Sequence, residues 1–187
     1  MATASEITHR LIEEGIKARA HFQIWWALRN LALPKYRATM SDFAYVDFFH
    51  AANSGHYVLY FLALAKIFDR DPRVAGIAEL KRALRAEGKA TVAIRIAREL
   101  KPFGPHVKRV MGIRNRSVVH NEHAIARNKV YQINGITPNQ LRDLIDAACS
   151  SINGAARELD ITNRIFESAR AESATLNMLK ALERGRA

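Results

Sequence analysis

Apolar residues recur at helical spacing along almost the whole chain. Between Ser5 and about Ala32 they return at steps of mostly three or four residues, which places them on one face of an α-helix. The same spacing predicts further helices in the stretches 41–69, 74–84, 90–100, 106–119, 138–159 and 163–183. Evidence for strands is thin, since only Lys129–Ile133 alternates weakly and is a candidate for a short extended piece.

Several boundaries between these helices carry recognisable end signals. Pro34 is expected to end the first helix or to follow its end. The segments Thr39–Asp42 and Thr137–Gln140 both resemble capping boxes, in which side chains satisfy the free N–H groups of a helix start. Two prolines and a glycine within Lys101–Pro105 predict a break, and the polar stretch Asn121–Gly135 predicts a loop.

The order of these elements indicates a single fold class. The chain has no internal repeat, no low-complexity segment and no linker long enough to separate two domains. We therefore predict that residues 1–187 form one domain, an all-α bundle of about six or seven helices.

Composition places the chain among ordinary globular proteins. Hydrophobic residues make up 49% and charged residues 25% of the 187 residues, which argues against a disordered or fibrous chain. Cys149 is the only cysteine, so an internal disulfide and a cysteine-rich zinc site are excluded, and we expect a cytoplasmic setting. The longest apolar run, Tyr57–Phe68, contains Lys66 and is too short for a membrane span, and Met1–Glu6 does not resemble a signal peptide.

The charge is strongly positive and unevenly distributed. The chain has 29 Lys and Arg against 18 Asp and Glu, a formal net charge of +11. Thirteen of the basic residues and only four acids lie between Ala75 and Val130, so this segment carries a net charge of +9. A clustered positive charge favours a polyanionic partner such as nucleic acid, although most of these side chains are also consistent with solvated helix faces.

Arg114 occupies an unusual place within this basic segment. On a helical wheel it lies at the centre of an apolar stripe that includes Val107, Val110 and Val118, whereas Arg116 lies on the opposite side. An unpaired guanidinium costs several kcal/mol to bury. We therefore expect Arg114 either to pair with an acid such as Asp47 or Asp69, or to face a cleft or a subunit interface.

A histidine follows Arg114 at a spacing that permits joint chemistry. His120 lies six residues later, about 9 Å along a helix, so the two side chains can reach one phosphate. Arginine supplies a permanent charge for phosphoryl oxygens, and histidine can transfer a proton near neutral pH. Together they predict RNA cleavage without a metal, with the ribose 2′-OH as nucleophile. Further RNA contacts are predicted for Lys108, Arg109, Asn115, Arg116 and Asn121.

The segment Ile113–Asn121 resembles the Arg-Asn…His signature of the HEPN superfamily (higher eukaryotes and prokaryotes nucleotide-binding). Arg114 and His120 match the signature's arginine and histidine, with Asn115 directly after the arginine. The end of the long helix, Leu62–Asp69, also resembles the branch linked to bacterial abortive infection. Glu122 stands where one toxin group carries a modified tyrosine, so that mode of regulation is not expected.

The resemblance implies a helical homodimer in which two copies of the motif line one cleft. It implies a metal-independent endoribonuclease that acts as a toxin or antiphage effector, with an antitoxin or another protein as a possible partner. The alternative is a non-catalytic RNA-binding or protein-interaction module. No cofactor is expected, and His120 with His123 lacks the further ligands of a metal site. Trp25 and Trp26 are expected in the core or at a dimer surface, with base stacking as the lesser alternative.

Overall fold

The structure is a computed structural model that describes residues 2–115, 135–165 and 167–185. The described residues contain helices and connecting turns and no strand, which confirms the predicted all-α fold. A π-helical turn (Ala27–Leu31) follows α1, and a single 3₁₀ turn (Lys101–Phe103) precedes α6. The α-helices are α1 (Ala4–Trp26), α2 (Leu33–Met40), α3 (Val46–Ile67), α4 (Ile77–Ala86), α5 (Ala90–Leu100), α6 (Gly104–Ile113), α7 (Pro138–Glu158) and α8 (Arg170–Arg184).

Helix α1 is the central element of the bundle. It packs against α3 and α7 along most of its length, and also against α4 and α8. Its buried face carries Ile7, Leu11 and Ile12, which join Leu64 of α3 and Leu144 of α7 in the main core. A smaller core lies under the π-helical turn, α2 and α8. No helix in the described part of the chain combines the length and the apolar character needed to cross a lipid bilayer.

One predicted capping box is confirmed and the other is wrong. Thr137 begins α7 as expected, because the Gln140 N–H donates to its hydroxyl at 3.2 Å and the Thr137 N–H donates to the Gln140 side chain at 3.0 Å. Asp42 does not cap α3, which begins only at Val46. Its carboxylate instead accepts from the N–H of Ala44 at 2.9 Å, a local turn that competes with helix formation.

The helix starts near Pro34 and near Val74 also differ from the prediction. Pro34 lies in the first turn of α2, where a proline needs no N–H partner, and so it opens a helix that the sequence pattern did not predict. Helix α4 begins at Ile77 rather than at Val74. Gly76 precedes it in close contact with the chain, since a Cβ there would lie 2.5 Å from the carbonyl oxygen of Asp69.

The predicted break before α6 is much shorter than expected. A single 3₁₀ turn joins α5 to α6, and Pro105 lies in the first turn of α6 as predicted. The final helix starts at Arg170 rather than at Asn163. Before it, the buried Asn153 side chain bonds both the N–H and the C=O of Ile165 at 2.8 Å, which holds this backbone in a non-helical form. The candidate extended piece at Lys129–Ile133 lies outside the described residues.

Candidate functional site

Helix α6 sets the position of Arg114. Arg114 directly follows the last residue of α6 and keeps helical backbone angles, φ −55° and ψ −50°. Val110 and Ile113, which precede it on the apolar side of α6, are buried in the main core. The backbone of Arg114 is therefore anchored against the core while its side chain is half-buried.

The guanidinium of Arg114 is only partly satisfied. Its Nη1 donates to the side-chain oxygen of Asn115 at 2.9 Å. Its Nε is buried and has no hydrogen-bond partner among the described residues. No carboxylate of the described chain lies within ion-pair distance of it. Asp47 is exposed, and Asp69 accepts from the backbone N–H of Asp71, so the expected alternative of pairing with either acid is not formed.

This arrangement favours an anionic ligand. A guanidinium cannot lose its charge near neutral pH, so its buried N–H group gains most from an oxyanion. Asn115 contributes a neutral oxygen that orients the guanidinium without cancelling its charge. The chemistry available at Arg114 is therefore the binding of a phosphate or of another oxyanion.

The remaining predicted RNA contacts divide between two faces of α6. Lys108 is exposed and lies two helical turns before Asn115 on the same side. Arg109 is half-buried and points toward α7, where its Nη1 donates to the Gln140 side chain at 3.5 Å, the limit of a hydrogen bond. The structure therefore brings Lys108 and Asn115 to one face and directs Arg109 to another. Arg116, His120 and Asn121 lie outside the described residues, as does the rejected metal pair of His120 with His123.

Part of the basic segment belongs to structural ion pairs. Arg82 pairs with Glu79 one turn earlier on α4. Arg95 on α5 pairs with Glu158 at the end of α7 at 2.9 Å, and also donates to the carbonyl of Gly154. The Arg82 pair lies within α4, and its acid is already counted in the net charge of the segment. Arg95 joins α5 to α7 through an acid outside the segment, so the net charge of the segment overstates the charge open to a ligand.

A large cavity in the described part of the chain is acidic and does not suit a nucleic acid. It has a volume of about 710 Å³ and lies beside α1 and α7. Asp143, Asp146 and Glu167 line it, and its one lining arginine, Arg19, already pairs with Asp146 at 2.7 Å. The excess of carboxylates would repel a phosphate group.

A histidine pair between α1 and α3 is a feature that the sequence analysis missed. The Nδ1 atoms of His21 and His56 lie 2.9 Å apart, so one ring donates to the other. Burial lowers the pKa of both imidazoles, and nearby Lys17 lowers that of His21 further. The two residues are 35 positions apart, and no local pattern could have indicated this contact.

Cys149 and the aromatic residues have mainly structural surroundings. Burial raises the pKa of the Cys149 thiol to about 11, so the thiol is unreactive near neutral pH. Trp25 is buried, and Trp26 packs beside it with the guanidinium of Arg142 4.8 Å from its ring centre. Phe43 and Phe48, in contrast, are 96% and 59% exposed.

Comparison with known families identifies the chain. The family model for AbiU2, a HEPN family, matches residues 1–176. The chain therefore belongs to the AbiU2 family of HEPN proteins, in the branch of that superfamily associated with abortive infection. No curated protein and no solved structure matches it.

Proposed function

We propose that this member of the AbiU2 family is a metal-independent endoribonuclease, in which Arg114 binds the scissile phosphate and His120 transfers a proton. The observation that carries the proposal is the half-buried Arg114 guanidinium, whose Nε has no hydrogen-bond partner among the described residues and which no described carboxylate neutralises. A phosphate that reaches the accessible part of this guanidinium would supply the counter-charge that no described residue provides.

The proposed reaction uses the RNA's own nucleophile. The 2′-oxygen attacks the adjacent phosphorus while the imidazole of His120 takes the 2′-OH proton. Negative charge develops on the non-bridging oxygens, where Arg114 stabilises it. The bond from phosphorus to the 5′-oxygen then breaks, and the 5′-oxygen receives a proton from a second imidazole, which a second copy of the motif would supply. The products are a 2′,3′-cyclic phosphate and a 5′-OH.

Asn115 is a positioning residue in this proposal. Its side-chain oxygen accepts from Nη1 of Arg114, which leaves the rest of the guanidinium free to contact phosphate. Lys108, Arg109, Arg116 and Asn121 are proposed to contact the phosphates and riboses on either side. Lys108, which is exposed on the Asn115 side of α6, has the stronger structural support of the two described basic residues.

Helix α3 supports a homodimer. Phe48, Gly55, Leu59 and Leu62 lie within about 60° of one another around its axis, and Phe48 and Leu59 are 59% and 43% exposed. A Cβ at Gly55 would meet no atom within 4 Å, so a second helix can approach there. The opposite side of α3 packs on α1. A helix that is apolar on both sides is normally covered on both, and we propose that a second copy of this chain covers the exposed side.

Incubation of purified protein with RNA in EDTA tests the proposed activity. We expect cleavage that leaves cyclic phosphate ends, identified by mass spectrometry, and loss of cleavage in Arg114→Ala and in His120→Ala. The matched control is Arg98→Ala, which removes one exposed charge from α5 in the same basic segment. Equal cleavage by all variants would contradict the catalytic assignment. Salt-sensitive RNA binding without cleavage would instead support the non-catalytic module.

The dimer is tested separately with Leu59→Glu. A charge on the exposed face of α3 should prevent a second copy from covering it, so we expect a monomer in sedimentation analysis and a loss of cleavage. Ile94→Glu is the matched control, because Ile94 is 61% exposed on α5, away from this face. A parent protein that is monomeric at micromolar concentration, yet cleaves RNA, would refute the dimeric cleft.

A further inference from the structure

A second group of positive charges surrounds a pocket at the N-terminal end of α6. The pocket has a volume of about 310 Å³ and lies where the end of α3, α4, the end of α5 and the start of α6 meet. Four basic residues line it, namely Arg70, Lys81, Lys101 and Lys108. The rest of the lining is mainly apolar and includes Phe68, Ile77, Leu100 and Val107. We call this the basic pocket.

The charges of the basic pocket are not compensated within the described protein. No carboxylate lines it, and none of its four basic side chains forms an ion pair with a described residue. Burial lowers the pKa of Lys81, and Arg85 and Arg70 lower it further, as expected where positive charges crowd together. By contrast, Arg82, which is next to Lys81 on α4, and Arg95 on α5 both form ion pairs with carboxylates. The basic pocket is therefore a place where an anion relieves repulsion.

The basic pocket and Arg114 lie at opposite ends of α6. Gly104, Val107 and Lys108 of α6 form one of its walls. Lys108 and Asn115 are seven residues apart, which places them on the same side of the helix at a separation of about 10 Å along its axis. A stacked strand rises about 3.4 Å per nucleotide, so this separation corresponds to about three nucleotides.

We propose that the basic pocket binds an RNA backbone phosphate about three nucleotides from the phosphate held by Arg114. This inference rests on the proposed function and extends it, because the protein would then hold a single RNA strand at two phosphates rather than at the scissile phosphate alone. Arg70, Lys101 and Lys108 are exposed and Lys81 is half-buried, so a phosphate can reach all four side chains and their positive charges add at one point. Sequence preference is not expected from these contacts, since they address the backbone.

Salt-dependent binding of an uncleavable strand tests the proposal. The probe is a 12-nucleotide 2′-O-methyl RNA, which lacks the attacking 2′-OH. We expect Arg70→Gln/Lys101→Gln to reduce the slope of log K against log salt by about 1.4, the value for two lost contacts on a single strand, and to weaken binding about tenfold or more at low salt. The matched control, Lys180→Gln/Arg184→Gln, removes two exposed charges from α8 and should keep the parent slope. Melting temperatures would verify that both variants fold.

Substrate length and a free nucleotide separate the possible outcomes. If the strand reaches the basic pocket, the parent should bind a hexanucleotide more tightly than a dinucleotide, and Arg70→Gln/Lys101→Gln should lose most of this difference. An unchanged slope in that variant, with RNA still cleaved, would overturn the basic pocket alone. Loss of binding in the variant, with no RNA cleaved by the parent, would overturn the nuclease and keep the pocket. Binding of AMP that depends on Arg70 and Lys101, with strand binding unaffected, would also overturn the proposal.

Discussion

Arg19 and Arg114 both lie against the hydrophobic core, but among the described residues only Arg19 has a carboxylate partner. The Arg19 side chain is 10% exposed, and its Nη2 lies 2.7 Å from a carboxylate oxygen of Asp146. Arg114 is half-buried, its Nη1 contacts a neutral amide, and its Nε has no partner among the described residues. The first arginine is compensated by the fold, whereas the second has a charge and an N–H group left for a ligand.

The presence or absence of a neighbouring carboxylate identifies a candidate anion-binding site better than burial or net charge does. Burial alone would rank Arg19 above Arg114 as a candidate site, and the acidic cavity of about 710 Å³ also includes Arg19. Arg19 already has its counter-charge, so a phosphate binding there would have to displace Asp146 or approach other carboxylates. The useful criterion is a basic group without a counter-charge among the described residues, and Arg114 and the basic pocket both meet it.

The largest expected effect comes from removing the uncompensated arginine. Arg114→Ala should lower the rate of RNA cleavage about 10²–10³-fold, as expected for the loss of a group that stabilises transition-state charge. Its melting temperature should stay close to that of the parent, because no described ion pair is lost. Single-turnover cleavage together with thermal unfolding provides the measurement. A large fall in stability with unchanged cleavage would mean that Arg114 is structural, like Arg19.

Asn115→Asp should make Arg114 resemble Arg19. The substitution keeps the shape of the side chain and places a carboxylate at the oxygen that now accepts from Nη1. The carboxylate adds the attraction of a negative charge to a bond that now joins the guanidinium to a neutral amide, so phosphate has to compete for the guanidinium and cleavage should fall about tenfold or more. Asn115→Ala is the comparison, because it removes the bond without adding charge and should have the smaller effect. Equal rates in parent and Asp variant would contradict the role given to Arg114.

The reverse change should affect stability and not activity. Asp146→Asn removes the carboxylate that pairs with Arg19, and we expect the free energy of unfolding to fall by about 1–2 kcal/mol. The loss stays moderate because Asp146 is itself 57% exposed. Urea unfolding measures the change, and cleavage per folded molecule should match the parent. Loss of cleavage in a variant that remains fully folded would indicate that the acidic cavity takes part in function.

The smallest expected effect concerns the His21–His56 pair, whose side chains, unlike arginine, can lose a proton and become neutral. Burial lowers the pKa of His21 and of His56, so the unfolded chain binds protons at a higher pH than the folded one. Stability should therefore decrease as the pH falls below about 6.5 and level off once the folded imidazoles are also protonated. His56→Gln should reduce this dependence in urea titrations between pH 7.5 and 5. An identical pH dependence in both proteins would show that the pair does not contribute.

The end signals of the helices show how far local sequence reasoning reached. The capping box at Thr137 was correct because both of its hydrogen bonds join residues three positions apart. The similar pattern at Thr39–Asp42 failed because Asp42 bonds the N–H of Ala44 instead, and both bonds are local enough to compete. The late start of α8 depends on Asn153, twelve residues before Ile165, which a local pattern does not include.

The candidate site also combines features that the local sequence predicts with features that only the fold decides. The wheel position of Arg114 was readable from the spacing of Val107, Val110 and the other apolar residues around it. The sequence did not show whether Asp47 or Asp69 would neutralise Arg114, and in the structure neither acid does. The basic pocket was not recognised, because its four basic residues come from separate elements and have no common spacing.

The order of apolar and polar residues was enough to establish an all-helical chain, and the short Arg114–His120 spacing was enough to predict a candidate site, since both depend on neighbours within a few positions. Only the tertiary structure decided which basic groups would receive a counter-charge. Arg19 and Asp146 are 127 residues apart, and Arg70 meets Lys108 only where helices converge. Electrostatic compensation depends on distance in space, and folding brings together charges that the linear sequence keeps apart.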